Sequence, residues 1–129
     1  MRKQLEKTEL NEKTVKEILL NKKLARFGDS LLNFIYSFAL TKRRGEPTGE
    51  KVSDKVLSIV AKNVGIRKFL PSRISKGEIA NSIEALLGDA WLKNKVSIEE
   101  LIVIIEKEVD DPVKAIEKLT KILLKKLSE

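Results

Sequence analysis

The chain contains neither cysteine nor histidine among its 129 residues. The lack of cysteine excludes disulfide bonds and thiolate metal sites. The lack of histidine excludes serine–histidine triads, histidine general bases and histidine-rich zinc sites. Any catalysis must therefore come from Asp, Glu, Lys or Ser side chains, or from a bound cation.

Long apolar runs are missing as well. No segment approaches the ~20 consecutive apolar residues that a membrane-spanning helix needs. The N-terminal sequence MRKQLEKTEL is charged and has no apolar centre, unlike a signal peptide. We therefore expect a cytoplasmic protein with no membrane partner.

The charge balance is basic, with 26 Lys and Arg against 19 Asp and Glu, a net charge of +7. An excess of this kind fits a polyanionic partner, above all nucleic acid. It also fits a Lys- and Glu-rich surface that keeps a thermophile-like protein soluble and stable. Charge alone does not decide between these two interpretations.

The apolar spacing is helical nearly throughout and predicts an all-α fold of about six helices in one domain spanning residues 1–129. The first segment places Leu10, Val15, Ile18 and Leu19 on one face. GIRKFLPSR and RRGEPTGE are expected to be loops. The IVII run resembles a strand, but its flanking caps favour a helix. The capping signals are Ser53 with Gly65 at the far end, Ser75 with Glu78, Ser97 with Glu100, and Asp111 with Pro112.

The second predicted helix, Leu24 to Leu40, has an unusually wide apolar face but contains Gly28 and Asp29. At ~100° per residue, Asp29 lies among apolar side chains, with Asn33 one turn on. An unpaired buried carboxylate is costly, so Asp29 needs a cation, hydrogen-bond donors or a proton. The centre of the apolar stripe is predicted to consist of Leu24, Phe27, Leu31, Phe34, Ile35 and Phe38.

The fourth predicted helix has the same peculiarity, because Glu84 lies at the edge of its apolar stripe. If the two helices pack together, Asp29 and Glu84 could meet around a hard cation such as Mg²⁺. The alternative is that each is an ordinary salt-bridge partner at a helix margin. Gly28 and Gly88 would then serve only close helix packing, at a cost of roughly 1 kcal/mol each in helix propensity.

Two motifs resemble the ribonuclease III family. LARFGDSLLNF is similar to its signature helix, and NSIEALLGDAWL is similar to its second catalytic helix. Between them, VSDKVLSIVAKNVGIRKFL resembles the family's intervening helix and turn. The resemblance covers roughly residues 24–93 and implies the family's all-α endonuclease domain without a double-stranded-RNA-binding domain. The chain looks closest to the Mini-III class or to a compact archaeal-type relative.

The resemblance implies a Mg²⁺-dependent (or Mn²⁺-dependent) endoribonuclease acting on double-stranded or structured RNA in RNA processing. Asp29 and Glu84 fall on the family's central metal-binding, catalytic carboxylates. Two further positions that are usually acidic are Ala25 and Asn81 here. We expect Asn81 to face the metal as a neutral ligand or to hold a water molecule. The family also implies a homodimer formed through the helix at residues 24–40.

Basic clusters in loops beside the two motifs are candidates for phosphate contacts with RNA. The predicted RNA-binding residues are Lys42, Arg43, Arg44, Arg67, Lys68, Arg73 and Lys76. The alternative is that they are ordinary solvated surface. Two other functions stay open: a catalytically inactive RNA-binding or ribosome-associated member of the fold, motivated by Ala25 and Asn81, and an unrelated helical interaction protein.

Overall fold

The computed structural model describes residues 12–127, which fold entirely into helices and connecting turns, with no strand in that range. Residues 12–19 are helical and are called α1. The elements that follow are α2 (Lys22–Arg44), α3 (Asp54–Asn63), a 3₁₀ helix (Ile66–Phe69), α4 (Lys76–Leu92), α5 (Ile98–Glu106) and α6 (Pro112–Leu127). The predicted all-α architecture of six helices is confirmed, and the IVII run is helical.

Local capping sets the helix starts, as the sequence predicts. The Ser53 hydroxyl accepts a hydrogen bond from the Val56 amide at 3.2 Å, which satisfies one free N–H of the first turn of α3. Capping boxes are present at Ser75 and at Ser97. Asp111 caps α6 by accepting from the Lys114 amide at 3.2 Å.

Helix α4 lies at the centre of the fold. Every residue from Ser82 to Ala90 is buried, and α4 packs against α2, α3 and α6. A helix that is covered all round is a core helix rather than a surface one. Any polar side chain in this stretch therefore lies inside the protein and needs a partner.

The buried face of α2 differs from the predicted stripe. Its buried residues are Ala25, Gly28, Leu32, Ile35, Tyr36, Ala39 and Leu40. Of the six predicted stripe residues only Ile35 is fully buried, while Phe34 and Phe38 are 54% and 42% exposed. The predicted centre of the stripe is wrong for the single chain because α2 packs on α4 through the side that carries Gly28, which leaves Phe34 and Phe38 exposed.

The segment predicted as a loop around GIRKFLPSR contains the 3₁₀ helix, which buries Ile66 completely. Val15, Ile18 and Leu19 of α1 are buried as expected, whereas Leu10 lies outside the described residues. Within residues 12–127, none of the helices combines the length and apolar character required to cross a membrane.

Candidate active site

The site begins where α2 and α4 cross with their backbones in contact. A Cβ atom on Gly28 would overlap the backbone carbonyl oxygen of Glu84. A Cβ atom on Gly88 would lie 2.8 Å from the carbonyl oxygen of Leu24. Only glycine fits at these two positions, and the close approach places Asp29, the residue after Gly28, beside Glu84.

The Asp29 and Glu84 carboxyl groups lie within hydrogen-bonding range of each other. Glu84 is only 4% exposed, and Asp29 is half-buried. Burial, the hydrogen bond and the negative charge of Asp29 together raise the pKa of Glu84 to about 9, although the positive charge of Lys51 acts in the opposite direction. At neutral pH and without a metal, Glu84 therefore holds its proton.

Asn33 ties this pair to the loop between α2 and α3. Its side-chain amide donates to the Asp29 Oδ1 atom at 3.0 Å, and its Oδ1 atom accepts from the Val52 amide at 2.9 Å. The loop is attached again at Ser37, whose hydroxyl accepts from the Glu50 amide at 2.9 Å. Asn33 thus orients Asp29 and fixes the position of residues 51–54. The sequence offered only one signal for this role, the four-residue spacing from Asp29.

An open cavity of about 780 Å³ lies in front of the carboxylate pair. The structure brings the predicted site residues Asp29, Asn81 and Glu84 to its wall. Ala25, at the other position where the family has an acid, also lines it. The complete lining consists of Lys22, Lys23, Ala25, Arg26, Asp29, Lys51, Val52, Ser53, Asp54, Asn81 and Glu84.

The donor set fits a hard, hydrated dication. Asp29 and Glu84 offer carboxylate oxygens, and Asn81 offers an amide oxygen, which are ligands of the kind that Mg²⁺ takes. Among residues 12–127 no group of three or more acidic side chains is placed to hold a metal ion together. Within this described part of the chain a cation would therefore be held by two carboxylates at most, and water or a ligand would complete its coordination.

A second buried acid, Asp89, also lies on α4 but outside the cavity. Asp89 is 4% exposed, and its Oδ1 atom pairs with the Lys93 Nζ atom at 2.9 Å. Its other carboxylate oxygen has no hydrogen-bond partner among residues 12–127. Because Lys93 neutralises it locally, Asp89 is a structural group rather than part of the carboxylate pair.

None of the seven predicted RNA-binding residues lines the cavity. Lys42, Arg43 and Arg44 lie at the far end of α2, where they pair with Glu106 at 3.2 Å, Asp110 at 3.2 Å and Glu50 at 3.4 Å, respectively. Arg67, Lys68, Arg73 and Lys76 are exposed, and the Lys68 ammonium lies 5.1 Å from the centre of the Phe69 ring.

Four cations that the sequence analysis did not select line the cavity instead: Lys22, Lys23, Arg26 and Lys51. Arg26 precedes Asp29 by three residues on the same helix, so helical spacing could have revealed it. Lys51 reaches the cavity only because hydrogen bonds attach the loop between α2 and α3 to α2, and nothing in the sequence marks this residue.

A comparison of the chain with known protein families agrees with this geometry. A family model described as Ribonuclease III matches residues 22–129. The chain belongs to the ribonuclease III family. The predicted family and the predicted helical fold are both confirmed, and both motif helices of this ribonuclease III domain lie within the matched range.

A curated relative in the same family is the Ribonuclease 3 of Magnetococcus marinus. It is 34% identical to this ribonuclease III family chain over 102 residues, which cover 64% of the chain. The matched residues cover 41% of that relative, so the chain spans less than half the length of the curated protein it matches.

The pKa of Glu84 predicts how stability depends on pH in the metal-free protein. The pKa is about 9 in the folded chain and near 4.5 in the unfolded chain, so between these values the folded state holds one extra proton. The contribution of Glu84 to the free energy of unfolding therefore falls as pH rises from 5 toward 9. Glu84→Gln has no proton to lose, and its stability should exceed that of the wild type increasingly over this range, by up to about 3 kcal/mol at pH 7.

Urea unfolding at pH 5, 7 and 8.5 in the presence of a chelator measures this difference. Glu46→Gln, in the exposed loop after α2, is the matched control and should leave the pH dependence unchanged. Parallel pH profiles for wild type and Glu84→Gln would contradict the shifted proton equilibrium.

Proposed function

We propose that the protein is a Mg²⁺-dependent endoribonuclease that hydrolyses phosphodiesters of double-stranded or structured RNA in RNA processing, with Mn²⁺ able to replace Mg²⁺. The observation that carries the proposal is the carboxylate pair at the wall of an open cavity. Asp29 and Glu84 come from the two motif helices of the ribonuclease III family, and they are in hydrogen-bond contact.

In the proposed reaction, Asp29 and Glu84 would hold the cation, and Asn81 would contribute its amide oxygen or position a water molecule. When bound, such a cation supplies a Lewis acid that activates water and stabilises charge on a phosphate. Asn33 keeps the Asp29 carboxylate in one orientation through its 3.0 Å hydrogen bond, which preserves the geometry of the pair. Glu84 must release its proton before both of its oxygens can act as anionic ligands.

The direct test is incubation of a long RNA duplex with the protein, with Mg²⁺ and separately with a chelator. Cleavage of the duplex with Mg²⁺ alone, and little cleavage of a single strand of the same sequence, is the expected result. Binding of the duplex without any cleavage, with either Mg²⁺ or Mn²⁺, would instead favour the inactive RNA-binding alternative that Ala25 and Asn81 suggest.

Replacing Asn81 by Asp should tighten divalent-cation binding about tenfold, since each added carboxylate strengthens attraction for a hard dication. Asn81 lines the same cavity as Asp29 and Glu84, so the added charge faces the site. Titration calorimetry with Mg²⁺ and Mn²⁺ measures the change. Ser30→Asp adds a charge on the exposed side of α2 and serves as the control. Equal affinities for Asn81→Asp and Ser30→Asp would contradict a cation site in the cavity.

We also propose that two chains associate through α2. Phe34 and Phe38 are 54% and 42% exposed, and their ring centres are 5.9 Å apart, so they form an apolar patch on the exposed side of α2. A contiguous exposed aromatic patch fits a protein interface. Leu31 and Phe27 extend the patch along the same helix face, in a half-buried position.

Sedimentation equilibrium at micromolar concentration should give twice the chain mass of 14.6 kDa. Phe34→Glu should shift the mass to that of one chain, because a charge in an apolar interface is poorly solvated. Val103→Glu, on an exposed apolar residue of α5, should remain dimeric. A single-chain mass for the wild type would rule out the α2 interface.

A further inference from the structure

The wall of the cavity carries more positive than negative groups. Lys22, Lys23, Arg26 and Lys51 face it together with three acids, Asp29, Asp54 and Glu84. A site built only to hold a cation would need an excess of acidic groups, because like charges repel a metal ion. The balance here instead favours a ligand that is itself anionic.

The four cavity cations also differ from the other basic clusters in their pairing. Among residues 12–127, the ion pairs within 4.0 Å involve Lys42, Arg43, Arg44, Lys93, Lys114 and Lys118. None of the four cavity cations makes an ion pair of this kind in the described part of the chain. Their charge is therefore available to a ligand, whereas the cluster at the end of α2 is engaged with Glu106, Asp110 and Glu50.

The position of Lys51 is fixed by the fold. Its neighbours on both sides are attached to α2, through the 2.9 Å bond from the Val52 amide to Asn33 and the 2.9 Å bond from the Glu50 amide to Ser37. Asn33 also binds Asp29, so the same side chain holds the acid and the loop that carries Lys51. A cation on a loop anchored in this way loses less backbone freedom when it binds a ligand.

The N-terminal ends of α2 and α3 add to the positive electrostatic potential at the cavity. Lys22 and Lys23 lie in the first turn of α2, and Ser53 and Asp54 begin α3, so both N-terminal ends open on the cavity. The N-terminal end of a helix carries partial positive charge. Ala25 contributes no charge where the family has an acid, which removes a source of repulsion for an incoming anion.

We infer that Lys51, together with Arg26, Lys22 and Lys23, forms a phosphate-binding site that holds a backbone phosphate of RNA at the cavity without any divalent cation. The choice of RNA as the ligand rests on the proposed function. The ammonium and guanidinium groups donate hydrogen bonds to the phosphate oxygens, and the Asp29–Glu84 pair lies on the same wall. Phosphate capture is thus separate from cation binding at this site.

The test measures binding of a short RNA duplex in a chelator, by fluorescence anisotropy at several salt concentrations. Lys51→Gln should weaken binding about five- to tenfold at low salt and lower the slope of log affinity against log salt by about one, as expected for the loss of one phosphate contact. Lys51→Arg should retain most of the affinity. Lys55→Gln, at the second residue of α3 and outside the cavity lining, is the control and should bind as the wild type does.

Equal affinity and equal salt slope for Lys51→Gln and the wild type would overturn the inference, as would a wild type that binds the duplex only when Mg²⁺ is added. The cleavage assay separates this outcome from failure of the proposed function. If the wild type binds through Lys51 but never cleaves, the inferred phosphate site stands and the proposed nuclease activity is wrong. If the wild type cleaves but Lys51→Gln binds RNA as well as the wild type does, the proposed nuclease activity stands and the inferred phosphate site is wrong.

Discussion

Replacing Asp29 by Asn, or Glu84 by Gln, is expected to reduce cleavage of duplex RNA by on the order of a thousandfold. A bound metal contributes several kcal/mol to stabilising the charge that develops in phosphodiester hydrolysis, and about 4 kcal/mol corresponds to this factor. Asp29 and Glu84 are the two carboxyl groups proposed to hold the cation together. Losing either one breaks the pair, and the remaining carboxylate binds a dication too weakly to compensate.

The two variants should stay folded. Asn and Gln have the shapes of the residues they replace. Asp29→Asn removes a half-buried carboxylate, and Glu84→Gln replaces a carboxyl group that is already protonated at neutral pH without a metal. Circular dichroism and thermal unfolding check the fold, and initial cleavage rates over a range of Mg²⁺ concentrations check activity.

Asp110→Asn provides the matched control for these activity measurements. Asp110 is 77% exposed and pairs with Arg43 at the end of α2 that lies away from the cavity. This substitution should leave the rate nearly unchanged. Full cleavage by a folded Glu84→Gln protein would remove the catalytic interpretation of the pair.

Replacing Gly28 by Ala is expected to destabilise the protein by about 3 kcal/mol or more. A methyl group there would overlap the Glu84 carbonyl oxygen, and that atom belongs to the backbone of the central helix, which cannot turn aside as a side chain can. Overpacking a close contact usually costs 1 to 3 kcal/mol, roughly, and here α2 and α4 would have to separate. The gain of about 1 kcal/mol in helix propensity is too small to offset this.

Urea unfolding gives the change in free energy. Gly49→Ala is the matched control, because a methyl group there meets no atom within 4 Å, and it should change stability by less than about 1 kcal/mol. Folded Gly28→Ala protein should also cleave poorly, since Asp29 and Glu84 move apart with their helices. A Gly28→Ala protein as stable as the Gly49→Ala protein would show that the two backbones are not in contact.

The sequence determined the helices and most of their ends. Ser53, Ser75, Ser97 and Asp111 each cap a helix as predicted, because a capping side chain bonds to an amide only two or three residues away. Interactions this local depend little on the rest of the fold. The continuous burial of residues 82–90 in α4 was not predicted, because the sequence indicated an apolar stripe with Glu84 at its edge, whereas α2, α3 and α6 pack around the helix.

The sequence also singled out Asp29 and Glu84, from a carboxylate on each of two apolar helices and from the resemblance to ribonuclease III. Their placement side by side could be stated only as a condition, since it requires that those helices pack on each other. The structure meets this condition through Gly28 and Gly88, whose missing side chains allow backbone contact. Assignment of the pair to catalysis remains a prediction.

Only the tertiary structure decided which side of α2 faces the core and which cations face the cavity. Hydropathy favoured the side bearing Phe34 and Phe38, but close packing on α4 requires small residues, so the aromatic side was left exposed. Lys51 reaches the site because Asn33 bonds a loop amide 19 residues further along the chain. Periodicity indicates which residues are neighbours on one helix, whereas contacts between distant segments depend on how the helices pack. For this reason the sequence alone identified the two acids of the site but not the cations that lie beside them.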